Sequence, residues 1–259
     1  MSAIRILLVD DEPLALERLE ALILGIPGAE IVGVARDGEE AAEKIAVHTP
    51  DLVLLDIQMP RRDGMSVAKT LKDVATTDVV FVTAYPQSAV EAFDVDAVDY
   101  LLKPVEPARL KLAIDRARRR RSLGIRQEEP ALVAGDPPPP AEPYSTTLWV
   151  RRPRGLARVE IAAIEWIEAA RDYVLLHTLS RSHMYRTTMD ALARRLDPAL
   201  MVRVSRSAFV RRDAVMRVHR RGRGALVLEL SDGAEVPVGN TYTRAVSREF
   251  GMQIYEQYD

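Results

Sequence analysis

Residues able to handle phosphate stand at the ends of four short apolar runs. Asp10-Asp11 follows IRILLV (4–9), Asp56 follows LVLL (52–55), Thr83 follows VVFV (79–82), and Lys103-Pro104 follows YLL (100–102). Brought together, three carboxylates, a hydroxyl and an ammonium define a specific chemistry. Crowded carboxylates repel and favour a hard divalent cation with oxygen ligands, for which Mg2+ fits best. Mg2+ keeps several waters and takes few carboxylates plus a phosphate oxygen. One carboxylate is then left to attack phosphorus and form an acyl phosphate. Phosphoryl transfer rests on positioning and charge neutralisation. The cation and Lys103 supply the positive charge, and Thr83 a hydrogen bond to a phosphoryl oxygen. Each residue taken singly has a plainer use. Asp10-Asp11 could cap a helix, Asp56 a loop, Lys103 could form a surface ion pair, and Tyr100 could be a core ring.

The elements that would bring these residues together are legible. With IVGVA (31–35), the apolar runs make five short strands of the kind buried on both faces. Helical spacing lies between them. Leu16, Leu19, Ile23 and Ile26 step by 3, 4 and 3 behind Pro13, and Leu110, Ile114 and Ala117 form a second face behind Pro107. Five β-α units in sequence predict a doubly wound parallel α/β sheet with helices on both faces. In such a sheet ligands gather at the carboxyl ends of the strands, which is where these residues stand.

The stretches ILLVDDEPLALERL, DLVLLDIQMPRRDGM, VVFVTAY and DYLLKPV resemble the receiver domain of two-component response regulators, over residues 4 to about 121. The resemblance implies Asp56 as phosphoacceptor, Asp11 as a direct Mg2+ ligand, Asp10 acting largely through water, and Gln58 offering its backbone carbonyl to the metal. It pairs Thr83 with Tyr100 as the switch, the hydroxyl moving towards the phosphoryl group and the ring rotating inward. It also implies a cis Lys103-Pro104 bond.

Charge divides the chain. Residues 1–144 carry 17 Lys+Arg against 25 Asp+Glu, a net of −8, whereas residues 145–259 carry 19 against 13, a net of +6, every basic residue there being arginine. A basic half suits a polyanion partner. Five prolines between Asp136 and Tyr144 favour an extended segment without a packed core. The expected boundaries are therefore a receiver at 1–121, a Pro-rich linker at 122–146 and an output domain at 147–259. The second half reads as mostly β: eight short strand candidates separated by turn signals such as Ser231-Asp-Gly233, a short helix at 187–196 capped by Thr187, and a closing helix at 240–250. No pair of adjacent helices suggests a helix-turn-helix.

IEWIEAARDYVLLHT, MYRTTMDALARRL, MVRVSRSAFVRRDAV and SDGAEVPV resemble, in order and spacing, the LytTR DNA-binding domain of LytR/AlgR-type regulators. That family is implied to place loops, not a helix, in successive major grooves. Arg206 and Ser207 match its Arg-Ser step. Three positions depart from its pattern: Ser205 stands where His is frequent, Arg211 where a base-reading Asn is frequent, and Gly239-Asn240 where Ser-Arg is frequent. The expected DNA contacts are Ser205, Arg206, Arg211, Arg212 and Asn240, the arginines bridging phosphates or reaching guanine O6 and N7. Trp149, Trp166, Tyr173 and Tyr185 read as strand core.

The combined expectation is a cytoplasmic, phosphorylation-dependent transcription regulator that is not an enzyme beyond slow autodephosphorylation. A sensor histidine kinase would phosphorylate Asp56, and the chain would then bind double-stranded DNA as a homodimer. The departures leave an alternative, a phosphorylation-controlled interaction protein whose output domain has lost DNA binding. The absence of cysteine excludes disulfides and thiolate metal sites, and no apolar run is long enough to span a membrane.

Overall fold

The computed structural model describes residues 3–71, 77–84, 97–123, 132–133, 144–152, 155–222 and 225–251. The chain divides into two compact units, one built on Met1–Glu129 and the other on most of Pro130–Asp259.

In the first unit, strands β1 (Ile4–Val9), β2 (Ala29–Ala35), β3 (Leu52–Leu55), β4 (Asp78–Thr83) and β5 (Asp99–Leu102) form one sheet in the order β2-β1-β3-β4-β5. Every pairing is parallel. All four residues of β3 are buried, as a strand covered on both faces requires. Helices α1 (Pro13–Leu24), α2 (Gly38–His48), α3 (Gly64–Leu71) and α4 (Pro107–Ser122) supply the cover. Leu16, Leu19, Ile23 and Ile26 from the α1 side, and Leu110, Ile114 and Ala117 from α4, join Ile6, Leu8, Leu54 and Val80 in one core. Burying each large aliphatic side chain contributes about 1.5–3 kcal/mol. Asp37 caps α2, its carboxylate accepting from the Glu39 and Glu40 N–H groups, which holds its acid strength above the usual carboxylate level.

The arginines that end α4 are tied into this unit. Arg118 pairs with Asp115 at 3.0 Å, Arg120 with Asp78 at 3.2 Å and Arg121 with Asp51 at 2.5 Å.

The second unit is mostly antiparallel β. Its elements are β6 (Leu132–Val133), β7 (Thr147–Arg152), β8 (Gly155–Glu160), β9 (Ile164–Ala170), β10 (Tyr173–Thr178), β11 (Ser182–Tyr185), α5 (Met189–Ala193), β12 (Met201–Arg203), β13 (Ala208–Arg211), β14 (Val215–Arg221), β15 (Ala225–Leu230), β16 (Glu235–Pro237) and α6 (Thr243–Glu249). Three sheets result, ordered β11-β10-β9-β13-β12, β14-β15-β16 and β6-β8-β7.

Several sequence expectations shift. Leu132–Val133, inside the stretch expected as linker, pairs antiparallel with β8, while the five prolines lie outside the described residues. The cap of α5 is Thr188, whose hydroxyl accepts from Ala191 N–H at 3.1 Å, not Thr187. Both are threonines, and only the residue directly before the first helical turn can reach that donor. The closing helix is shorter than 240–250, because Asn240–Tyr242 forms a single 3-10 turn before α6. Trp166 and Tyr173 are buried as expected, whereas Trp149 is half-buried.

Candidate phosphoacceptor site and nucleic-acid interface

Backbone hydrogen bonds fix the strand ends that carry the first site. Asp10 N–H donates to Ala35 O at 3.1 Å, Asp56 N–H to Val9 O at 2.9 Å, and Lys103 N–H to Thr83 O at 2.9 Å. Parallel pairing thus sets four consecutive strand ends side by side. Lys103 Nζ lies 2.7 Å from Asp10 Oδ2, 2.8 Å from Asp56 Oδ2 and 3.3 Å from Glu12 Oε2. Asp10, Asp56 and Thr83 are buried, while Asp11 is exposed. One oxygen from each of Asp10, Asp11 and Asp56 falls within 4.8 Å of the others. The Lys103-Pro104 bond is cis. The Tyr100 ring is buried and stacks on Phe81, with centroids 5.6 Å apart.

The electrostatics follow from this crowding. Burial pushes the Asp10 carboxyl above the usual aspartate value, against the pull of the Lys103 ammonium and the Glu12 N–H. Burial alone would lower Lys103, but its bonds to Asp10 and Asp56 outweigh it and raise the ammonium above the usual lysine value. Lys103 therefore stands as a permanent cation between two acids. The donor set is all oxygen, and the buried Asp10 Oδ2 is held in an ion pair with Lys103 at 2.7 Å. These residues fit a hard cation such as Mg2+.

Two residues at this site escaped the reading of the sequence. Glu12 supplies a fourth carboxylate beside Lys103. Gly64 packs directly beneath Asp56, where a Cβ atom would lie 1.9 Å from the Asp56 carbonyl oxygen. The sequence signal for Gly64 was its place in the Arg62-Asp-Gly64 turn at the start of α3. Gln58, expected to offer its carbonyl, follows in the same loop and donates its N–H to Asp56 Oδ1 at 3.3 Å.

In the second unit the expected DNA-contact residues separate into two groups. Ser205 and Arg206 lie in the turn Val204–Ser207, which joins β12 to β13. Gly239 N–H donates to Val204 O at 2.9 Å, so Gly239-Asn240 borders that turn. The turn between β9 and β10 borders it too, because Ala169 N–H donates to Ser207 O at 2.8 Å. That second turn carries Arg171, which is exposed, has a left-handed φ of 55° and was not singled out from the sequence. Ser205, Arg206, Asn240 and Arg171 thus share one end of the unit. Arg203 braces the turn, donating to the carbonyls of Ser205 at 3.3 Å and Arg206 at 3.2 Å while pairing with Asp190 at 2.7 Å.

Arg211 and Arg212 lie at the other end of the β12–β13 hairpin, where Arg211 pairs with Met201. Each of the three Arg211 guanidinium nitrogens has a protein partner. Its Nε meets Asp213 at 2.5 Å, its Nη2 meets buried Glu165 at 2.9 Å, and its Nη1 donates to Ala162 O. Arg212 donates from Nε to Ala199 O at 2.9 Å and pairs with Glu249. The expectation that Arg211 takes over a base-reading amide therefore meets a physical obstacle. Reaching a base would strip Glu165 of its cation inside the domain.

Comparison with known proteins agrees with both halves. Residues 6–115 match the family described as response regulator receiver domain, and residues 154–251 that described as LytTr DNA-binding domain. The class is a receiver joined to a DNA-binding output domain. The chain is 33% identical over 249 residues to the positive alginate biosynthesis regulatory protein of Pseudomonas aeruginosa, covering 94% of this chain and 97% of that one. It is 28% identical over 246 residues to the sensory transduction protein LytT of Bacillus anthracis, covering 95% and 98%. It is also 43% identical over 119 residues to the transcriptional regulatory protein BtsR of Salmonella typhi, covering 46% and 50%. The chain belongs to the LytT/AlgR-type response regulators and is a phosphorylation-dependent transcriptional regulator. A histidine kinase partner and DNA binding go with these two domains. Among the described residues, no helix is long and apolar enough to cross a membrane.

Proposed function

We propose that Asp56 is the residue phosphorylated in this regulator, with the receiver at 1–121 and the output domain at 147–259. An Asp56 carboxylate oxygen attacks phosphorus, the bond from phosphorus to the donor breaks, and its electron pair leaves with the donor. The product is an acyl phosphate. Asp10, Asp11, Asp56 and the Gln58 carbonyl would hold Mg2+, which when bound supplies charge neutralisation at the phosphoryl oxygens. Lys103, already bonded to Asp56, moves its ammonium to a phosphoryl oxygen, and Thr83 donates its hydroxyl to another. Tyr100 follows Thr83 as the second half of the switch. The observation that carries this reading is the single ammonium bridging Asp10 and Asp56 at 2.7 and 2.8 Å beside a third carboxylate.

Phosphorylation then favours a homodimer that sets two output domains on adjacent half-sites. The linker couples phosphorylation to binding by raising the effective concentration of the second output domain once the first is bound. Ser205, Arg206, Asn240 and Arg171 form the DNA-contacting end, and Arg211 holds the fold. Incubation with a small phosphodonor and Mg2+ tests the acceptor, labelling the native chain and not Asp56→Asn. Sedimentation with and without a beryllofluoride mimic tests the dimer, which should form only with the mimic.

A further inference from the structure

The β14–β15 hairpin is an arginine-rich feature of the output domain that the proposed contacts leave unused. Strand β14 alternates. Arg217, His219 and Arg221 fall on one face, and Arg217 and Arg221 answer Glu229 at 3.4 Å and Glu235 at 2.5 Å across the sheet. Arg220 and Arg221 close the strand at its tip, both exposed. The chain turns there at Gly222, with a left-handed φ of 55°, and a Cβ added at Gly222 would meet nothing within 4 Å. Near the tip the strand therefore carries Arg220 and Arg221 in succession, both exposed and on opposite faces.

Pairing register places this tip. Arg220 pairs with Leu226, Val238 N–H donates to Leu226 O at 2.8 Å, and Gly239 N–H donates to Val204 O at 2.9 Å. The hairpin tip, Gly239-Asn240 and the turn holding Arg206 are thus successive neighbours at one end of the unit. Three inter-strand steps separate Arg220 from Val204, about 14 Å between backbones.

We propose that Arg220 and Arg221 form a clamp on the DNA backbone, binding phosphates that flank the step contacted by the Arg206 turn. The inference rests on the DNA-binding reading of that turn. At 3.4 Å of axis per phosphate on one strand, 14 Å sets the clamped phosphates about four base pairs away. The clamp adds affinity without sequence preference, because phosphates carry no base information. The exposed pair of Arg221 with Glu235 does not prevent it, since a surface ion pair contributes only about 0–1 kcal/mol.

The test uses the full chain and the duplex it enriches from a random pool, with affinity measured across a salt series. Replacing both residues by alanine should lower the slope of log K against log salt by about 2, close to 1 per lost phosphate contact. It should shorten the hydroxyl-radical footprint by about four base pairs on one side and leave the preferred sequence unchanged. Replacing both by lysine should restore the slope, because the charge is kept. An unchanged slope and footprint in the alanine variant, with Arg206→Ala weakening binding, overturns the clamp and leaves the reading of the turn standing. Enrichment of no sequence by the native chain overturns both.

Discussion

Replacing Arg211 by methionine should destabilise the output domain and affect DNA only through that loss. The Glu165 carboxylate is 2% exposed and Arg211 19% exposed, so removing the guanidinium strands a buried charge. Breaking a buried pair from one side costs about 3–5 kcal/mol. Ser231 Oγ still donates to Glu165 and the site is not wholly dry, which brings the expected loss to about 2–3 kcal/mol. For a unit of this size that is a fall in Tm of about 10–20 °C. Both tryptophans, Trp149 and Trp166, lie in the output half, so fluorescence follows this domain within the full chain. Replacing Glu165 and Arg211 together by methionine removes both charges and should recover most of the loss, since a buried pair exchanged for apolar groups is often neutral. DNA affinity at low temperature should recover with it. Arg206→Ala should do the reverse, leaving stability within about 0.5 kcal/mol of native while weakening binding. An Arg211→Met chain with native Tm and lost DNA affinity would refute this reasoning and return Arg211 to the contact surface.

Three further outcomes are expected. Gly64→Ala brings a methyl to 1.9 Å from the Asp56 carbonyl; far-UV circular dichroism should show a loss of about 3 kcal/mol or more, and residual phosphate labelling should slow. Asp10→Asn should stabilise the metal-free chain at neutral pH. The folded-state value for Asp10 is raised above 3.8, so its charge opposes folding increasingly as pH rises through that window. Urea titrations should therefore show a gain at pH 7 that vanishes as pH falls below 3.8, and a constant gain would contradict it. Thr188→Ala should cost about 1 kcal/mol by removing the α5 cap, while Thr187→Ala should be close to neutral in the same thermal melt.

Sequence exposed the receiver site well because its geometry is simple. In a parallel sheet, the residue after each strand is placed by the strand itself, so Asp10, Asp56, Thr83 and Lys103 could be grouped before any contact was known. Glu12 and Gly64 were hidden for different reasons. Glu12 lies past the strand end, as the residue capping α1, and the need for glycine at 64 comes from a backbone 8 residues away in sequence. The output domain was less legible because its contacts join distant turns. Arg171, Ser207 and Gly239 are neighbours only through antiparallel pairing, which spacing does not reveal. Four arginines in and beside VSRSAFVRRD look alike as letters. The hairpin sends Arg206 to one end and Arg211 to the other, and Arg203 and Arg211 spend their donors on Ser205, Arg206, Glu165 and Ala162. The cap of α5 was missed by one residue because two threonines stand side by side.

The most direct measurement is phosphate incorporation from a small phosphodonor with Mg2+, read by intact mass on the native chain and on Asp56→Asn. The account predicts one added phosphoryl group on the native chain, lost when Mg2+ is chelated, and none on the variant. Equal incorporation by the variant would place the acceptor elsewhere and contradict the assignment of Asp56.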